Sequence, residues 1–376
     1  MARILDLTSL MGAYGTRLLA ELGHDVLRVE SPKGDALRRE APLLAGADSK
    51  FEASAFHQFL NAGKHSLALD PTSERGRKLL LALVAKADAL VASLPLSLDE
   101  DVLLAANPDL VFVRLDDGPP ELCAYASAGL LAITGEPDGK PTMLGGHVPC
   151  AAVGVHVALA ASAALYGKEA SGRGQAVDVS APQCLASLAE QVWVEYSASG
   201  ERMERLGSRG GITAVAGALP CADGHWMISV PPDPRGWANF VQLVAHPAFK
   251  DDGSLADEAM RRERKQEILD CIAEWSRQQK KNEIVAQAQS LHIPAAAVTN
   301  PLELVDDPQL LARGFLTPVD HPDFGKMNFP VGALASMFGQ AMSFAPPLGE
   351  STALVLDELG YSESEIRRLK DEGVVA

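Results

Sequence analysis

The stretch GGHVPCAAVG, residues 145–154, places a histidine and a cysteine ahead of a long apolar run that is typical of a helix. We predict that this helix starts near Ala151, directly after Cys150. A thiolate at a helix start is a nucleophile that can take the acyl group of a thioester. His147, three positions earlier in a loop, would be the residue that activates it. The alternative is that Cys150 is a small buried hydrophobe.

Carboxylates are absent from the surroundings of this cysteine in the sequence, since no Asp or Glu occurs between residues 140 and 168. Carboxylates from other segments that could enter a shared cleft are Asp178, Asp233 and Glu195. Each also has a structural interpretation: Asp178 belongs to a sheet edge, Asp233 to a turn and Glu195 to a solvated helix face.

The overall charge and the cysteine pattern exclude several classes of function. The chain of 376 residues has a formal net charge of −16, whereas binding to nucleic acid or to an anionic membrane surface needs clustered Lys and Arg. Five widely spaced cysteines without a CxxC pair predict reduced thiols and no metal site. We therefore predict a cytoplasmic protein that binds neither nucleic acid nor membrane.

Two apolar segments need a separate interpretation. The N-terminal run contains Arg3 and Asp6, which argues against a signal peptide. The run from Val148 to Tyr166 is rich in alanine and is interrupted by His156, so that we expect a buried helix rather than a membrane span.

Strands and helices alternate through the first 115 residues. The five strand patterns are ARILDLT, DVLRVE, HSLALD, ADALVAS and DLVFVRL, and helices are predicted over 16–22 and 72–86. This alternation predicts an α/β fold with a parallel sheet that helices cover on both faces. QAVDVS at 175–180 adds a strand, and a helix follows over 182–199.

A glycine pair lies at the first strand-to-helix connection. Gly12 and Gly15, with Glu30 at the end of the next strand, would suit a dinucleotide in which Glu30 binds the ribose. The spacing is GxxG rather than GxGxxG, and we interpret it as a tight turn. A nicotinamide dehydrogenase is therefore the last function that we consider.

The sequence pattern changes near residue 222. A turn and strand (ADGHWMISV) precede a charged amphipathic helix over 261–281, which indicates a smaller α+β unit. Two short helices end the chain, and Ser362 with Glu365 has the spacing of a capping box.

Taken in order, six segments resemble the family III CoA-transferases, a family that includes the α-methylacyl-CoA racemases. They are RILDLT…GTRLLAELGHDVLRVESPKGDALRRE, FLNAGKHSLALD, ITGEPDGKP, KEASGRGQAVDVS, IPAAAVTNPLELVDDPQLLARGF and PPLGESTALVLDELGYSESEIRRLKDEGVV. The resemblance implies a Rossmann-like large domain over 1–220, a smaller α+β domain over 221–325 and a segment, 326–376, that returns to the large domain. It also implies an interlocked dimer.

The same resemblance implies that coenzyme A and acyl-CoA are substrates and that no cofactor is covalently bound. Four polar residues are predicted to contact CoA: Arg17, Arg38, Asn61 and Lys64. For the three cations among them, the alternative is a solvated position on the surface. Cationic side chains are suitable partners for the phosphates of CoA. The segment 93–96 stands where the family has another loop that contacts CoA.

This chain lacks a residue that the resemblance implies for each of the family's two reactions, CoA transfer and racemisation. The transferases use an aspartate that forms an acyl anhydride and then holds CoA as a thioester, and its position, four residues before Gly154, is occupied by Cys150. The racemases need an aspartate at this position too, and a histidine whose place lies near Glu121. Only a carboxyl group can hold CoA as a thioester.

We therefore interpret the chain as the aspartate-lacking subunit of a hetero-oligomer, as in benzylsuccinate CoA-transferase. A paralogous subunit would supply the aspartate for CoA exchange between an acyl-CoA, for example succinyl-CoA, and a small carboxylic acid. Two alternatives remain. The first is a self-sufficient homodimeric transferase, isomerase, racemase or thioesterase-like enzyme that uses a displaced residue, and the second is a non-catalytic acyl-CoA-binding protein.

Overall fold

The computed structural model describes residues 1–44, 51–96, 98–209, 213–321, 324–331 and 343–376. Contacts between residues divide it into two compact units. The large unit comprises Met1–Leu130, Met143–Gly200 and Pro308–Ala376, and the small unit comprises Leu131–Thr142 and Glu201–Asp307. These bounds differ from the predicted domains, because the small unit starts 20 residues earlier than 221, ends before 308 and includes a segment near residue 136.

Hydrogen bonds within the small unit explain this early boundary. The Arg205 guanidinium donates to the carbonyl oxygens of Glu136, Pro137 and Gly139, each at 3.1 Å. The backbone N–H of Gly207 donates to the Gly135 carbonyl. The segment after residue 200 is thus bonded to a loop 70 residues away, which no local sequence pattern reveals.

The large unit is built on six parallel strands, which confirms the predicted α/β fold with a parallel sheet. The strands are β1 (Arg3–Leu7), β2 (Asp25–Glu30), β3 (His65–Ala68), β4 (Ala89–Ser93), β5 (Val111–Asp116) and β6 (Ala176–Ser180). Their spatial order is β3-β2-β1-β4-β5-β6. The order reverses between β1 and β4, and in open α/β sheets ligands bind at such a point, outside the carboxyl ends of the strands.

Helices alternate with these strands along the chain, and two more follow β6. They are α1 (Leu10–Glu21), α2 (Ala55–Leu60), α3 (Glu74–Val84), α4 (Glu100–Ala106), α5 (Glu121–Ser127), α6 (Leu130–Ile133), α7 (Val148–Ser171), α8 (Ala181–Ser187) and α9 (Glu190–Ser199). Helix α1 begins six residues before the predicted start, because the Ser9 hydroxyl caps it by accepting from the Met11 N–H. The predicted helix over 182–199 is two helices.

The small unit contains a three-stranded antiparallel sheet of β7 (Ala216–Cys221), β8 (Gly224–Ser229) and β9 (Ala295–Val298). Its helices are α10 (Pro234–Val244), α11 (Pro247–Lys250), α12 (Glu258–Glu263), α13 (Lys265–Ser276) and α14 (Lys281–Ser290). The helix predicted over 261–281 is therefore divided among three elements. Trp226, Phe240 and Ile268 are buried in one core, as the α+β prediction requires.

The C-terminal part of the chain belongs to the large unit. It contains α15 (Pro308–Ala312), a hairpin of β10 (Leu316–His321) and β11 (Gly325–Pro330), α16 (Thr352–Glu358) and α17 (Glu363–Asp371). Leu356 and Leu369 pack in the same core as Leu27 of β2. The capping box between Ser362 and Glu365 is confirmed.

Helices α1 and α7 cross at two glycines. A Cβ on Gly15 would lie 2.4 Å from the Gly154 carbonyl oxygen, and a Cβ on Gly154 would lie 2.9 Å from Tyr14 Cβ. Neither position has room for a side chain. Gly12 and Gly15 both lie inside α1, where Gly15 packs against α7 and Gly12 packs against the side chains of Thr8 and Leu115. The dinucleotide interpretation and the predicted turn are therefore both wrong.

Helix α7 is long and apolar enough to cross a membrane, with a mean hydropathy of 1.9 over its most apolar 18 residues, of which 44 % are buried. A single helix of this kind is weak evidence for a membrane span, because core helices of water-soluble proteins can be equally long and apolar. Val153 and Val157 on one face are buried, whereas Leu159 and Tyr166 on the other are exposed in the single chain. The prediction of a buried helix therefore holds for one face.

The glycine contact predicts a specific loss of stability. Gly154→Ala should lower the free energy of unfolding by about 1–3 kcal/mol, because the new methyl group meets Gly15 backbone at 2.8 Å and Tyr14 at 2.9 Å. Gly167→Ala on the same helix is the matched control, since its Cβ meets only the mobile end of Gln175. The control should gain up to about 1 kcal/mol from helix propensity. Urea unfolding measures both, and equal effects would contradict the packing account.

Candidate functional site

Three polar side chains meet where the strand order reverses. The Ser9 hydroxyl donates to Asp117 Oδ2 at 2.6 Å, and the Ser93 hydroxyl donates to Oδ1 of the same carboxylate at 3.0 Å. The Ser9 N–H donates to the Ser93 hydroxyl. Burial raises the pKa of Asp117, and the two serine hydroxyls oppose this shift. Ser9 follows β1, Ser93 ends β4 and Asp117 follows β5, so the three residues lie at the carboxyl edge of the sheet, where open α/β sheets bind their ligands.

Cys150 lies in the first turn of α7, not ahead of it, because the helix begins at Val148. Its side chain is buried, and its Sγ lies 3.6 Å from Met11 Sδ. Burial raises the pKa of the thiol, and the neighbouring Glu121 and Asp117 carboxylates raise it further. The structure therefore supports the interpretation of Cys150 as a buried thiol over that of a thiolate nucleophile.

Glu121, the first residue of α5, brings a carboxylate to the start of α7. Its Oε1 accepts the backbone N–H of Cys150 at 3.4 Å, and its Oε2 lies 2.8 Å from His147 Nδ1. The bond to Cys150 satisfies an N–H that the first turn of α7 leaves without an intrahelical partner. In the sequence, Glu121 stood out only as the place of a missing histidine. The 25 residues between Glu121 and His147 contain no signal of this contact.

His147 has an unusual backbone conformation. Its φ is 55°, in the left-handed region, where residues other than glycine are uncommon. Its ring stacks on Phe56 with 4.6 Å between ring centres. The backbone conformation and the stacking on Phe56 direct the imidazole towards Glu121, which lies 2.8 Å from Nδ1. The hydrogen-bond partner of His147 is therefore Glu121 and not the Cys150 thiol that it was predicted to activate.

The other three candidate carboxylates lie elsewhere. Asp178 is on β6 and forms an ion pair with Arg114 at 2.7 Å. Asp233 caps α10 by accepting the Gly236 N–H, and Glu195 is exposed on α9. Each therefore fits the structural interpretation that its sequence surroundings suggested.

The residues predicted to contact CoA are all buried, so the alternative of solvated surface cations is wrong. Arg38 donates to Glu30 at 2.6 and 2.8 Å, pairs with Glu52 and donates to the Pro346 carbonyl. Arg17 donates to Glu21 at 2.9 Å and lies over the Phe59 ring. The CoA contacts stay a prediction. Before either arginine could bind a phosphate of CoA, its ion pair with Glu30 or Glu21 would have to break.

Lys64 and Asn61 belong to a second buried cluster. Lys64 Nζ lies within 3.0 Å of four acceptors: Asp6 Oδ2, Ala13 O, Thr16 Oγ1 and Asn61 Oδ1. Burial lowers the pKa of Lys64 to about 8, although Asp6 opposes the shift. Next to this cluster, burial disfavours the charged form of Glu30, but Arg38 outweighs it and lowers the pKa of Glu30 to about 2.

Two of the cavities described on the large unit are lined by residues of the segments predicted to contact CoA. One of about 450 Å³ includes part of the 93–96 segment and is lined by Leu94, Pro95, Leu96, Leu98, Asp99, Glu100, Phe112, Arg114 and Asp178. The other, of about 310 Å³, is lined by Glu52, Gln58, Lys64, His65, His321, Ser343, Phe344, Ala345, Pro346, Pro347 and Glu350. Of the four predicted CoA contacts, Lys64 alone lines either of these two described cavities.

Comparison with known proteins assigns the chain. A profile of CoA-transferase family III matches residues 2–352, so the chain belongs to this family. It is 30 % identical to a formyl-CoA:oxalate CoA-transferase of Streptomyces avermitilis, over 99 % of this chain and 98 % of the relative. It is 31 % identical to a succinyl-CoA:mesaconate CoA-transferase of Haloarcula hispanica, over 98 % of both chains.

A further relative is a succinyl-CoA–D-citramalate CoA-transferase of Chloroflexus aurantiacus, 28 % identical over 99 % of this chain and 97 % of its own. Among solved structures, a CaiB/BaiF family protein of Brucella suis superposes with a TM-score of 0.80 at 25 % identity, covering 95 % of this chain and 98 % of that one. The fold, the family and the enzyme class are confirmed. Enzymes of this family use CoA thioesters as substrates.

A pH dependence of stability follows from the burial of His57 in α2. Burial, and then the charges of Arg38 and Arg28, lower the pKa of His57 to about 2. Between this value and the ordinary value near 6.5, the unfolded chain binds a proton that the folded chain does not. The folded state therefore loses stability as the pH falls below about 6.5.

His57→Gln should remove about 2 kcal/mol of the difference in unfolding free energy between pH 7.5 and pH 5.0. Urea unfolding at both pH values measures it. The exposed His225 on β8 provides the control, and His225→Gln should keep the wild-type difference. A His57 variant that keeps the full wild-type difference would contradict the burial of a neutral imidazole.

Proposed function

We propose that this chain is the non-catalytic subunit of an enzyme that exchanges CoA between an acyl-CoA and a small carboxylic acid. The observation that carries the proposal is Cys150, a buried thiol at the position where the family resemblance expects the catalytic aspartate. The names of the Haloarcula and Chloroflexus relatives support succinyl-CoA as the donor. Reduced thiols and a CoA substrate suit the cytoplasm, where we place the reaction.

The chemistry of a thiol explains why Cys150 cannot replace an aspartate. If its thiolate attacked an acyl-CoA, the acyl group would move to sulfur and CoA would leave as its thiolate. A carboxylic acid that then attacked this thioester would form an anhydride of two acids and free the cysteine. CoA exchange instead needs a carboxyl group that holds first the acyl group and then CoA.

Exposed apolar side chains support assembly with a second chain. Besides Leu159 and Tyr166 on α7, helix α9 exposes 59 % of Trp193 and 67 % of Val194. Large exposed apolar side chains of this kind are typical of protein–protein contacts. We propose that these helices contact a paralogous subunit that carries the aspartate, in an interlocked dimer, and that the same faces form a homodimer when the chain is alone.

Co-expression tests this assignment. The chain is purified alone and together with an aspartate-containing paralogue, native mass is measured, and each sample is assayed for CoA transfer from succinyl-CoA to a panel of small acids. We expect a mixed oligomer that is active only when both chains are present. Replacing the paralogue's aspartate by asparagine is the control and should abolish the exchange. An active oligomer of this chain alone would contradict the proposal, and CoA binding without turnover in every sample would favour an acyl-CoA-binding protein.

Glu121 favours a second candidate, a self-sufficient transferase. Its carboxylate lies at the start of α7 and its side chain is 13 % exposed. It would attack the acyl-CoA carbonyl to give a mixed anhydride and CoA thiolate. The thiolate would attack the glutamyl carbonyl, release the first acid and leave CoA as a thioester on Glu121. The incoming acid would reverse both steps.

This second candidate predicts that the chain alone is active and that Glu121→Gln abolishes the exchange. The control is Glu169→Gln, which changes an exposed carboxylate at the far end of α7. Its turnover should equal that of the unmodified chain. Exchange that survives Glu121→Gln in the chain alone would dispose of Glu121 as the nucleophile.

A further inference from the structure

We propose that Glu121, His147 and Cys150 form a binding site for Zn²⁺. One ligand atom from each residue, a carboxylate oxygen, an imidazole nitrogen and the thiol sulfur, lies within 4.8 Å of the other two. Tetrahedral zinc with bonds of about 2.0–2.3 Å holds its ligand atoms about 3–4 Å apart. Closing the set around an ion therefore needs side-chain movements of about 1 Å.

The donor set selects the metal. A thiolate and an imidazole are ligands of zinc and of softer metals, whereas Mg²⁺ and Ca²⁺ prefer oxygen ligands alone. One sulfur, one nitrogen and one oxygen leave a fourth tetrahedral position for water or another small ligand, as in zinc sites with three protein ligands. Binding would replace the thiol proton of Cys150 by the metal.

Access to the site comes from the histidine. The His147 side chain is 43 % exposed and that of Glu121 is 13 % exposed, whereas Cys150 lies behind them at 2 %. An ion therefore reaches His147 and Glu121 first and the sulfur last. Met11, whose Sδ lies 3.6 Å from the Cys150 sulfur, closes the inner side.

The backbone holds the ligands ready. His147 and Cys150 are three residues apart at the start of α7, and the left-handed conformation of His147 with its stacking on Phe56 orients the ring. A non-glycine residue in this conformation is strained, and such strain concentrates at functional sites. His147 makes no side-chain bond to cap the helix, so helix capping does not explain it.

This proposal goes beyond CoA exchange. Cys150 and Glu121 both stand where the resemblance expects other residues, and the structure brings these two departures together beside one histidine. The sequence predicted no metal site, because its cysteines lack paired spacing and the ligands come from two segments. A metal at this point would occupy the place of the missing nucleophile.

Cobalt is the probe for the experiment. The purified full-length chain is stripped of metal with a chelator and titrated with Co²⁺, which gives a sulfur-to-metal charge-transfer band when a thiolate binds it. Zn²⁺ stoichiometry and affinity are then measured by competition with a chromophoric chelator. We expect one ion per chain and displacement of cobalt by zinc.

Variants test each ligand. Cys150→Ser should remove the charge-transfer band, and Glu121→Gln and His147→Asn should each weaken zinc binding at least tenfold. Cys184→Ser, at another buried thiol in α8, is the matched control and should keep the band. Circular dichroism verifies folding, and the exposed His147 variant still tests the site if Cys150→Ser fails to fold. Absence of stoichiometric zinc, or a band that survives in folded Cys150→Ser, would overturn the proposal. No CoA assay is involved, so this result is independent of the proposed function.

Discussion

The buried carboxylate of Asp6 is the interaction on which the large unit depends most. It accepts hydrogen bonds from the Thr8 backbone and hydroxyl, the Thr16 hydroxyl, Arg28 and Lys64, and so joins β1, α1, β2 and the loop before β3. Burying charges costs several kcal/mol per ion, and only such complete hydrogen bonding offsets it. Lys64 and Arg28 hold the pKa of Asp6 well below its ordinary value despite its burial.

This network lies next to the sheet edge at which Ser9, Ser93 and Asp117 meet. With β1 and α1 held, Ser9 lies beside Ser93, and the close contact of Gly15 with Gly154 sets α7 against α1. The first turn of α7 then brings Cys150 to the carboxyl edge of the sheet. The fold of a family III CoA-transferase is therefore preserved around a buried thiol, and our proposal assigns the covalent step to a partner for this reason.

Local sequence signals were sufficient for the fold and insufficient for the site. The alternation of short apolar strands such as DVLRVE with helices predicted the parallel sheet, because parallel strands are joined by helical crossovers. The GxxG spacing misled because Gly15 packs on a residue 139 positions later. Arg38 and Lys64 are charged residues in loop sequences, and nothing local shows that Arg38 pairs with Glu30 on β2 or Lys64 with Asp6 on β1. The meeting of Glu121 with His147 is hidden for the same reason.

The central claim is that the covalent CoA intermediate forms on the partner subunit and not on this chain. The most direct measurement is to treat the active mixed oligomer with succinyl-CoA, reduce any side-chain anhydride or CoA thioester with borohydride, and locate the resulting side-chain alcohol by peptide mass spectrometry. An unreduced sample is searched for an acyl group on Cys150, because borohydride would return an acylated cysteine to the free thiol. We expect that the partner's aspartate is converted to the alcohol, that Glu121 is not, and that Cys150 carries no acyl group. Conversion of Glu121, or any acyl-CoA-dependent modification of this chain at a level that matches turnover, would contradict it.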